Sequence, residues 1–222
     1  MSNECTLILF VLLTFLLGSI PFGVIVSKVF FNKDVRDTGS GNIGFTNSLR
    51  SMGKVGGALV FVGDFAKGLA SAAIGVYVAP MFWSGGAPFF CETSAIFFGA
   101  LGALCSTLGH IFCPWLKFKG GKGISCAFGA SFIAMSPLIA ILLFSSFLIV
   151  VILTKYVSAG SITAAILYPF AGYIAHSTSL GAILFFTIVG VVVIWAHREN
   201  ISRIVRGTES KIGSKSSDKA KN

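Results

Sequence analysis

The chain has 222 residues, 55% of them hydrophobic and only 11% charged, whereas a soluble domain of this size carries about a quarter charged residues. A single aqueous core is therefore excluded. The net charge of +9 is spread over short basic loops between apolar runs, which argues against a nucleic-acid partner and for orientation in a bilayer and attraction to anionic lipid or substrate.

A span needs about 20 apolar residues, because the hydrocarbon layer is about 30 Å thick and a helix rises about 1.5 Å per residue. Residues 1–10 hold Glu4 and no Lys or Arg, so the basic start of a cleavable signal is missing. Residues 5–26 are expected to form a retained first span with the N-terminus outside, kinked near Gly18 and Pro21. A polar loop is expected over 32–54, then a second span over 55–79 containing Asp64 and Lys67. The segment 80–93, with Glu92 and Trp83 but no basic residue, reads as an outer loop. A third span over 94–112 leads into a second polar loop, 113–123.

Residues 124–153 fit either one tilted helix or two short ones broken at Ser136-Pro137. Spans over 157–175 and 180–196 follow, then a basic segment from His197. If the second loop and this segment share a side, an even number of crossings separates them, which favours the broken alternative and the positive-inside tendency. The fold expected is an all-α integral membrane protein: a polytopic helical bundle of about seven transmembrane helices, N-terminus outside and C-terminus cytoplasmic. On that map all 17 Lys and Arg residues lie inside or within reach of the inner interface, with Lys67 the one deep case. Residues 1–206 would be one transmembrane domain and 207–222 a polar, disordered cytoplasmic tail. No internal repeat is visible. The five cysteines, Cys5, Cys91, Cys105, Cys113 and Cys126, lack C-x-x-C or metal-ligand spacing and read as small apolar residues. Cys5 and Cys91 fall on one outer face, where a disulfide could form.

Three inner segments look chemical. The first holds Gly39-Ser40-Gly41-Asn42-Ile43-Gly44, formally G-x-G-x-x-G, but no strand precedes it and Asp64 lies within an apolar span, so a dinucleotide fold does not follow. Glycines let backbone N–H groups approach an anion, and Ser40, Asn42, Thr46 and Asn47 add neutral donors with Arg50 a fixed positive charge. The alternative is a flexible polar connector. The second is Lys119-Gly120-Gly121-Lys122-Gly123, not a Walker loop, since Gly123 stands where Ser or Thr is required. Two lysines among glycines before an apolar helix suggest a phosphate or oxyanion cradle; a positive-inside anchor would explain the lysines but not the glycines. In the third, His197, Asn200 and Arg203 share a helix face at three-residue spacing, where histidine could move a proton and asparagine orient it, or where all three could simply reach for the interface. Asp64 and Lys67, three apart in a span, read as a mutually neutralising structural pair. His110 reads as a structural interfacial histidine, and His176 as an outer-side residue without a role.

Gly39–Arg50 (GSGNIGFTNSLR), DFAKG from Asp64, Gly109–Gly123 (GHIFCPWLKFKGGKG) and HRENISR from His197 stand in the order found in a known family. At these segments the chain resembles the acyl-phosphate-dependent glycerol-3-phosphate acyltransferases of bacteria (PlsY type). Phe45 departs from that pattern, which usually has alanine there, and Pro114 lies one position late. The resemblance implies transfer of a fatty acyl group from acyl phosphate to the 1-hydroxyl of glycerol 3-phosphate, giving lysophosphatidate and phosphate as the first step of phospholipid synthesis, with no cofactor or metal. Ser40, Asn42 and the Lys119–Gly123 backbone would hold the leaving phosphate and developing oxyanion, Gly39, Gly41, Thr46, Asn47 and Arg203 would complete the phosphate-binding set, Arg50, Lys119 and Lys122 would neutralise the phosphates, and His197, oriented by Asn200, would assist deprotonation. The expected partners are acyl phosphate, glycerol 3-phosphate, the bilayer and other phospholipid-synthesis enzymes, at the bacterial inner membrane with the site facing the cytoplasm. A transporter for a phosphorylated solute is the rival reading, on the strength of broken helices and buried charges; a structural subunit is a third.

Overall fold

The computed structural model describes residues 2–212, and among these every regular element is helical. The chain enters α1 (Asn3–Gly18), capped by the Ser2 hydroxyl, which accepts from the Cys5 N–H. Pro21 lacks an N–H and breaks the helix, and α2 (Phe22–Phe31) resumes the same apolar run. Together they form a 29-residue candidate span, Asn3–Phe31.

Next comes α3 (Phe45–Ala73), whose Gly53 has φ 72° and ψ −169°. This segment overturns the expectation of a loop running to residue 54, because residues 45–52 are already helical. In a straight helix Phe45 and Phe61 would stand about 24 Å apart at a rise of about 1.5 Å per residue, yet their ring centres are 5.8 Å apart. The chain therefore doubles back at Gly53, and Gly57 lets Leu49 lie against the returning helix, where an added Cβ would meet Leu49 Cα at 3.0 Å. That backbone region is essentially restricted to glycine, and a side chain there costs about 1–3 kcal/mol. Space is not the obstacle, since nothing lies within 4 Å of a Cβ at Gly53. Gly53→Ala should lower stability by that amount through backbone strain alone, and thermal unfolding in detergent should show it; an unchanged midpoint would contradict the hairpin.

Helix α4 (Ser94–Ile111) is the axis of the bundle and is buried along most of its length. Its glycines bring backbones together: an added Cβ on Gly109 would lie 2.1 Å from Phe15 O, and one on Gly102 2.6 Å from Ser71 O. Helix α5 (Ile124–Ala134) packs along α3 through Gly68 and Gly129, where Cβ atoms would fall 1.9 and 2.0 Å from the facing carbonyls of Cys126 and Phe65. Its 11 residues rise about 16 Å, short of a 30 Å layer. The break at Ser136-Pro137 is present: the Ser136 hydroxyl accepts from Ile139 N–H and Pro137 starts α6 (Pro137–Thr154). Only Ala140, Leu143 and Val151 of α6 are buried, so this helix presents most of its surface outward. The bundle closes with α7 (Val157–Ala175), α8 (Leu180–Ala196) and the short α9 (Arg198–Val205). Five candidate spans are long and apolar enough to cross, with a sixth if α8 and α9, bent by 54°, count as one.

Asp64 and Lys67 form the expected pair, 2.9 Å apart with both side chains buried. Lys67 Nζ also donates to Ile20 O at 2.8 Å, a carbonyl at the α1–α2 break that accepts from Phe22 N–H as well. His110, expected at the interface, is instead buried on the same cluster, its Nδ1 3.3 Å from Asp64 Oδ1. His176 Nε2 meets Ala134 O at 2.8 Å and ties the end of α7 to the end of α5. Cys5 and Cys91 are both free thiols, so the disulfide considered above is not formed.

Candidate active site

The first loop is held by side chains on its own return helix. Asp34 starts a single 3-10 turn over Val35–Asp37 and pairs with Arg36 through both carboxylate oxygens, at 2.9 and 2.6 Å. That bond keeps the Asp34 carboxyl well below the usual carboxylate range. Asn47, buried on α3, accepts from Ser40 N–H at 2.9 Å and donates to Val35 O and Thr38 O. Both ends of its amide are thus committed to loop shape, which removes it from the substrate donors expected above. Gly39 (φ 58°) faces this amide so closely that a Cβ would sit 2.3 Å from Asn47 Oδ1. Gly41 N–H is bonded to Thr38 O and Gly44 N–H to the Asn42 side chain. Ser40 is left exposed, with Thr46 half-buried on the first turn of α3 and Arg50 exposed further along it.

The second loop departs from expectation in a specific way. Gly120 N–H donates to Ile111 O and Gly121 N–H to His110 O, each at 3.0 Å. These two donors satisfy the last carbonyls of α4 and are not available to an anion. The glycines are there for closeness: a Cβ on Gly120 would lie 2.0 Å from His110 O, and one on Gly121 2.0 Å from His110 Nε2. The buried Asp64–Lys67–His110 cluster therefore sits directly behind the loop. Gly123 (φ 82°) caps the start of α5, so what faces outward is Lys119, Lys122 and the first turn of that helix.

The two lysines serve different places. Lys119 borders a cleft of about 410 Å³ between the loops, lined also by Arg36, Gly41, Trp115, Leu116 and Lys117. Lys122 turns toward α9 and donates to Asn200 Oδ1. Asn200 in turn donates to Glu209 Oε1 at 2.6 Å, Ser158 donates to the same oxygen at 2.7 Å, and Arg203 Nε donates to Oε2 at 2.7 Å. Asn200 is thus oriented by Lys122 and Glu209 rather than itself orienting His197. His197 sits at the α8–α9 bend, buried, with Nδ1 2.8 Å from Val193 O. A carbonyl can only accept, so Nδ1 carries the hydrogen and Nε2 keeps a lone pair for a proton.

Glu209, Arg36 and Lys117 were not among the residues singled out by sequence. Glu209 had a signal: Gly207 (φ 69°) follows the basic helix and turns the chain back, a helix-end glycine that brings the next acid under α9. Of the tail expected over 207–222, residues 207–212 stay exposed apart from the half-buried Glu209 but are tied to the bundle by Ser158 on Glu209 and by Ile212 N–H on Lys155 O; 213–222 lie outside the described residues. Burial raises the Glu209 carboxyl, but the hydrogen bonds from Ser158, Arg203 and Asn200 outweigh it and the net shift is downward.

Burial also pushes the Lys122 ammonium down to about 8, helped by Arg203 and Arg50 and opposed by Glu209 and Glu199. Lys122 is charged below that pH and neutral above it. KM for a phosphate-bearing substrate should therefore rise as pH passes through about 8, and Lys122→Arg should carry the rise to higher pH. A pH profile of KM checks both; a flat profile between pH 7 and 9 would remove Lys122 from phosphate binding.

Residues 8–207 match the family model described as glycerol-3-phosphate acyltransferase. A glycerol-3-phosphate acyltransferase of Fusobacterium nucleatum is 39% identical over 202 residues, covering 91% of this chain and 96% of the relative. That of Clostridioides difficile is 36% identical over 209 residues, covering 94% and 96%. Among solved structures, the crystal structure of PlsY, an integral membrane glycerol 3-phosphate acyltransferase, in its glycerol 3-phosphate form superposes with a TM-score of 0.79 at 34% identity, over 93% of this chain and 95% of that one. Its lysophosphatidic acid form gives 0.78.

Proposed function

The chain belongs to the glycerol-3-phosphate acyltransferase family, an acyltransferase of the membrane, and from that premise we propose that it moves a fatty acyl group from acyl phosphate to the 1-hydroxyl of glycerol 3-phosphate. The products are 1-acylglycerol 3-phosphate and inorganic phosphate. The observation that supports this reading is the division of one loop between two cationic places: Lys119 with Lys117 on the cleft, next to the Arg36–Asp34 pair, and Lys122 with Asn200 and Arg203 beside His197. A reaction between two phosphate-bearing substrates needs two such places.

In this reading the acceptor hydroxyl attacks the acyl carbonyl carbon. The carbon–oxygen bond to phosphate breaks, and the phosphate leaves with the bonding electrons. The hydroxyl proton passes to His197 Nε2 or to an oxygen of the departing phosphate. Lys122, fixed by Asn200, offsets the negative charge that develops, and preorganised charge of this kind is the largest usual contribution to catalysis. Ser40 stands exposed at the loop apex as a donor to phosphate or oxyanion, and Arg50 supplies a further positive charge. Direct transfer is preferred over an acyl-Ser40 intermediate because acyl phosphate is already activated; trapping of labelled acyl-protein with acyl phosphate alone would contradict it. The loops are assigned to the cytoplasmic face of a bacterial inner membrane, with about seven crossings, α5 among them as a shielded short helix.

The transporter alternative keeps the Ser136-Pro137 break but loses the others, because the break at Pro21 is closed by Lys67 on Ile20 O and the buried charges neutralise each other. The purified protein should acylate glycerol 3-phosphate with acyl phosphate and not with acyl thioesters, and Ser40→Ala and His197→Ala should each impair turnover. Normal turnover in both variants would move the chemistry elsewhere.

A further inference from the structure

Two hydrogen bonds reach from the second loop back to one residue at the end of α1. Cys113 Sγ–H donates to Ser19 O at 3.0 Å, and Trp115 Nε1–H donates to Ser19 Oγ at 2.8 Å. Ser19 is buried and its own hydroxyl hydrogen goes to Leu16 O at 2.7 Å, so it meets the indole with an oxygen lone pair. Trp115 is otherwise 63% exposed; its N–H alone is drawn inward. The residues that follow form a tight turn, with Leu116 and Phe118 N–H on Cys113 O, Lys117 N–H on Pro114 O and Lys119 N–H on Leu116 O. Within it Lys117 (φ 53°) and Phe118 (φ 60°) both take the left-handed conformation. Side chains disfavour that region, and it persists only where the surroundings over-determine it. On its C-terminal side the turn is held by Gly120 and Gly121 on the last carbonyls of α4. On its N-terminal side it is held by Cys113 and Trp115 on Ser19.

The same break touches the other parts of the site. Ile20 O takes Lys67 from α3, and an added Cβ on Gly23 would lie 1.9 Å from Ile43 O of the first loop. Residues 19–23 therefore meet both loops that border the cleft, to which one gives Arg36 and Gly41 and the other Lys117 and Lys119. We propose that Ser19 and Trp115 are positioning residues: their hydrogen bond fixes the turn that aims Lys119 at the cleft, and so sets the affinity for the phosphate bound there. The inference deepens the two-place reading above and rests on it. Ser19 acts through the indole and the left-handed turn, from a buried position behind the cleft. A phenylalanine at position 115 would cover much the same surface but would leave Ser19 Oγ without its donor.

KM for palmitoyl phosphate and KM for glycerol 3-phosphate test this in wild type, Ser19→Ala, Trp115→Phe, Lys119→Ala and the double variants. Lys119→Ala should raise one of the two values and so mark the substrate whose phosphate occupies the cleft. Ser19→Ala and Trp115→Phe should each raise that same KM about three- to tenfold, the scale of one hydrogen bond, and leave the other KM in place. The effects should not add: Ser19→Ala/Trp115→Phe should match the single variants, and Ser19→Ala should move KM no further once Lys119 is alanine. Loss of folded protein would lower Vmax and leave both KM values where they were. A rise in Trp115→Phe without one in Ser19→Ala would mean that the indole itself touches substrate, and would overturn the proposal. An unmoved KM in Lys119→Ala, or equal changes in both values, would overturn it too. Amide hydrogen exchange without substrate supplies the second readout: residues 116–119 should exchange faster by a similar factor in Ser19→Ala and Trp115→Phe, with α5 unchanged. Exchange equal to wild type in both would overturn the clamp. Faster exchange in a protein that makes no lysophosphatidate would refute the enzymatic reading and leave the clamp standing.

Discussion

Lys122→Ala is expected to lower kcat/KM by about two to three orders of magnitude, the usual cost of removing one preorganised donor from a site where charge develops. The magnitude follows from the setting. Lys122 is partly withdrawn from water, and its ammonium is fixed on Asn200, which is itself held by Glu209. A charge so placed needs no reorganisation when phosphate departs. The double variant Lys122→Ala/Asn200→Ala should cost little more than Lys122→Ala, because the two act as a unit and such losses do not add. Steady-state kinetics on the four proteins gives the coupling directly, and full additivity would show that Asn200 works independently of the lysine.

Asp64→Ala should have the largest effect on stability, about 3–5 kcal/mol, the cost of leaving one member of a buried ion pair uncompensated. Lys67 has no second carboxylate within reach among the described residues: its ammonium touches Asp64 and the Ile20 carbonyl. His110 would lose its acidic neighbour as well, and with it the backing of Gly121. Asp64→Ala/Lys67→Met should recover most of the lost stability, since replacing both partners by apolar groups is often close to neutral. Thermal unfolding in detergent checks the pair; a double variant no better than Asp64→Ala would show that the lysine's bond to Ile20 O, rather than the ion pair, holds the α1–α2 break together.

The apolar segments and their breaks were legible in the chain because hydropathy and proline act locally. Pro21 and Pro137 each withhold an N–H within an apolar run, and the structure breaks at both, although Pro169 is carried inside α7. The Asp64–Lys67 pair was equally readable, since two ionisable residues three apart in a span leave few options. What composition could not show is where a polar segment folds back. Residues 45–52 read as loop because they are polar; they are helical because α3 turns at Gly53 and lays them against its own second half. The glycines of KGGKG carried the same ambiguity. A glycine that opens a backbone to a phosphate and one that admits a neighbouring helix are identical in sequence, and Gly120 and Gly121 turned out to serve the end of α4. Asn47 was placed among the ligands for its chemistry, and the fold spends that chemistry on Ser40 and Val35. Glu209 was passed over because it follows the last recognisable motif, yet it organises Asn200 and Arg203.

In the function proposed, one loop-built site joins two phosphate-bearing substrates in a single transfer. Purified protein given palmitoyl phosphate and labelled glycerol 3-phosphate tests it most directly, with inorganic phosphate and lysophosphatidate followed together. Equal amounts of both products are expected, with no phosphate release until glycerol 3-phosphate is added and loss of both products together in Lys122→Ala. Phosphate released without acceptor, or lysophosphatidate formed only from an acyl thioester, would contradict it.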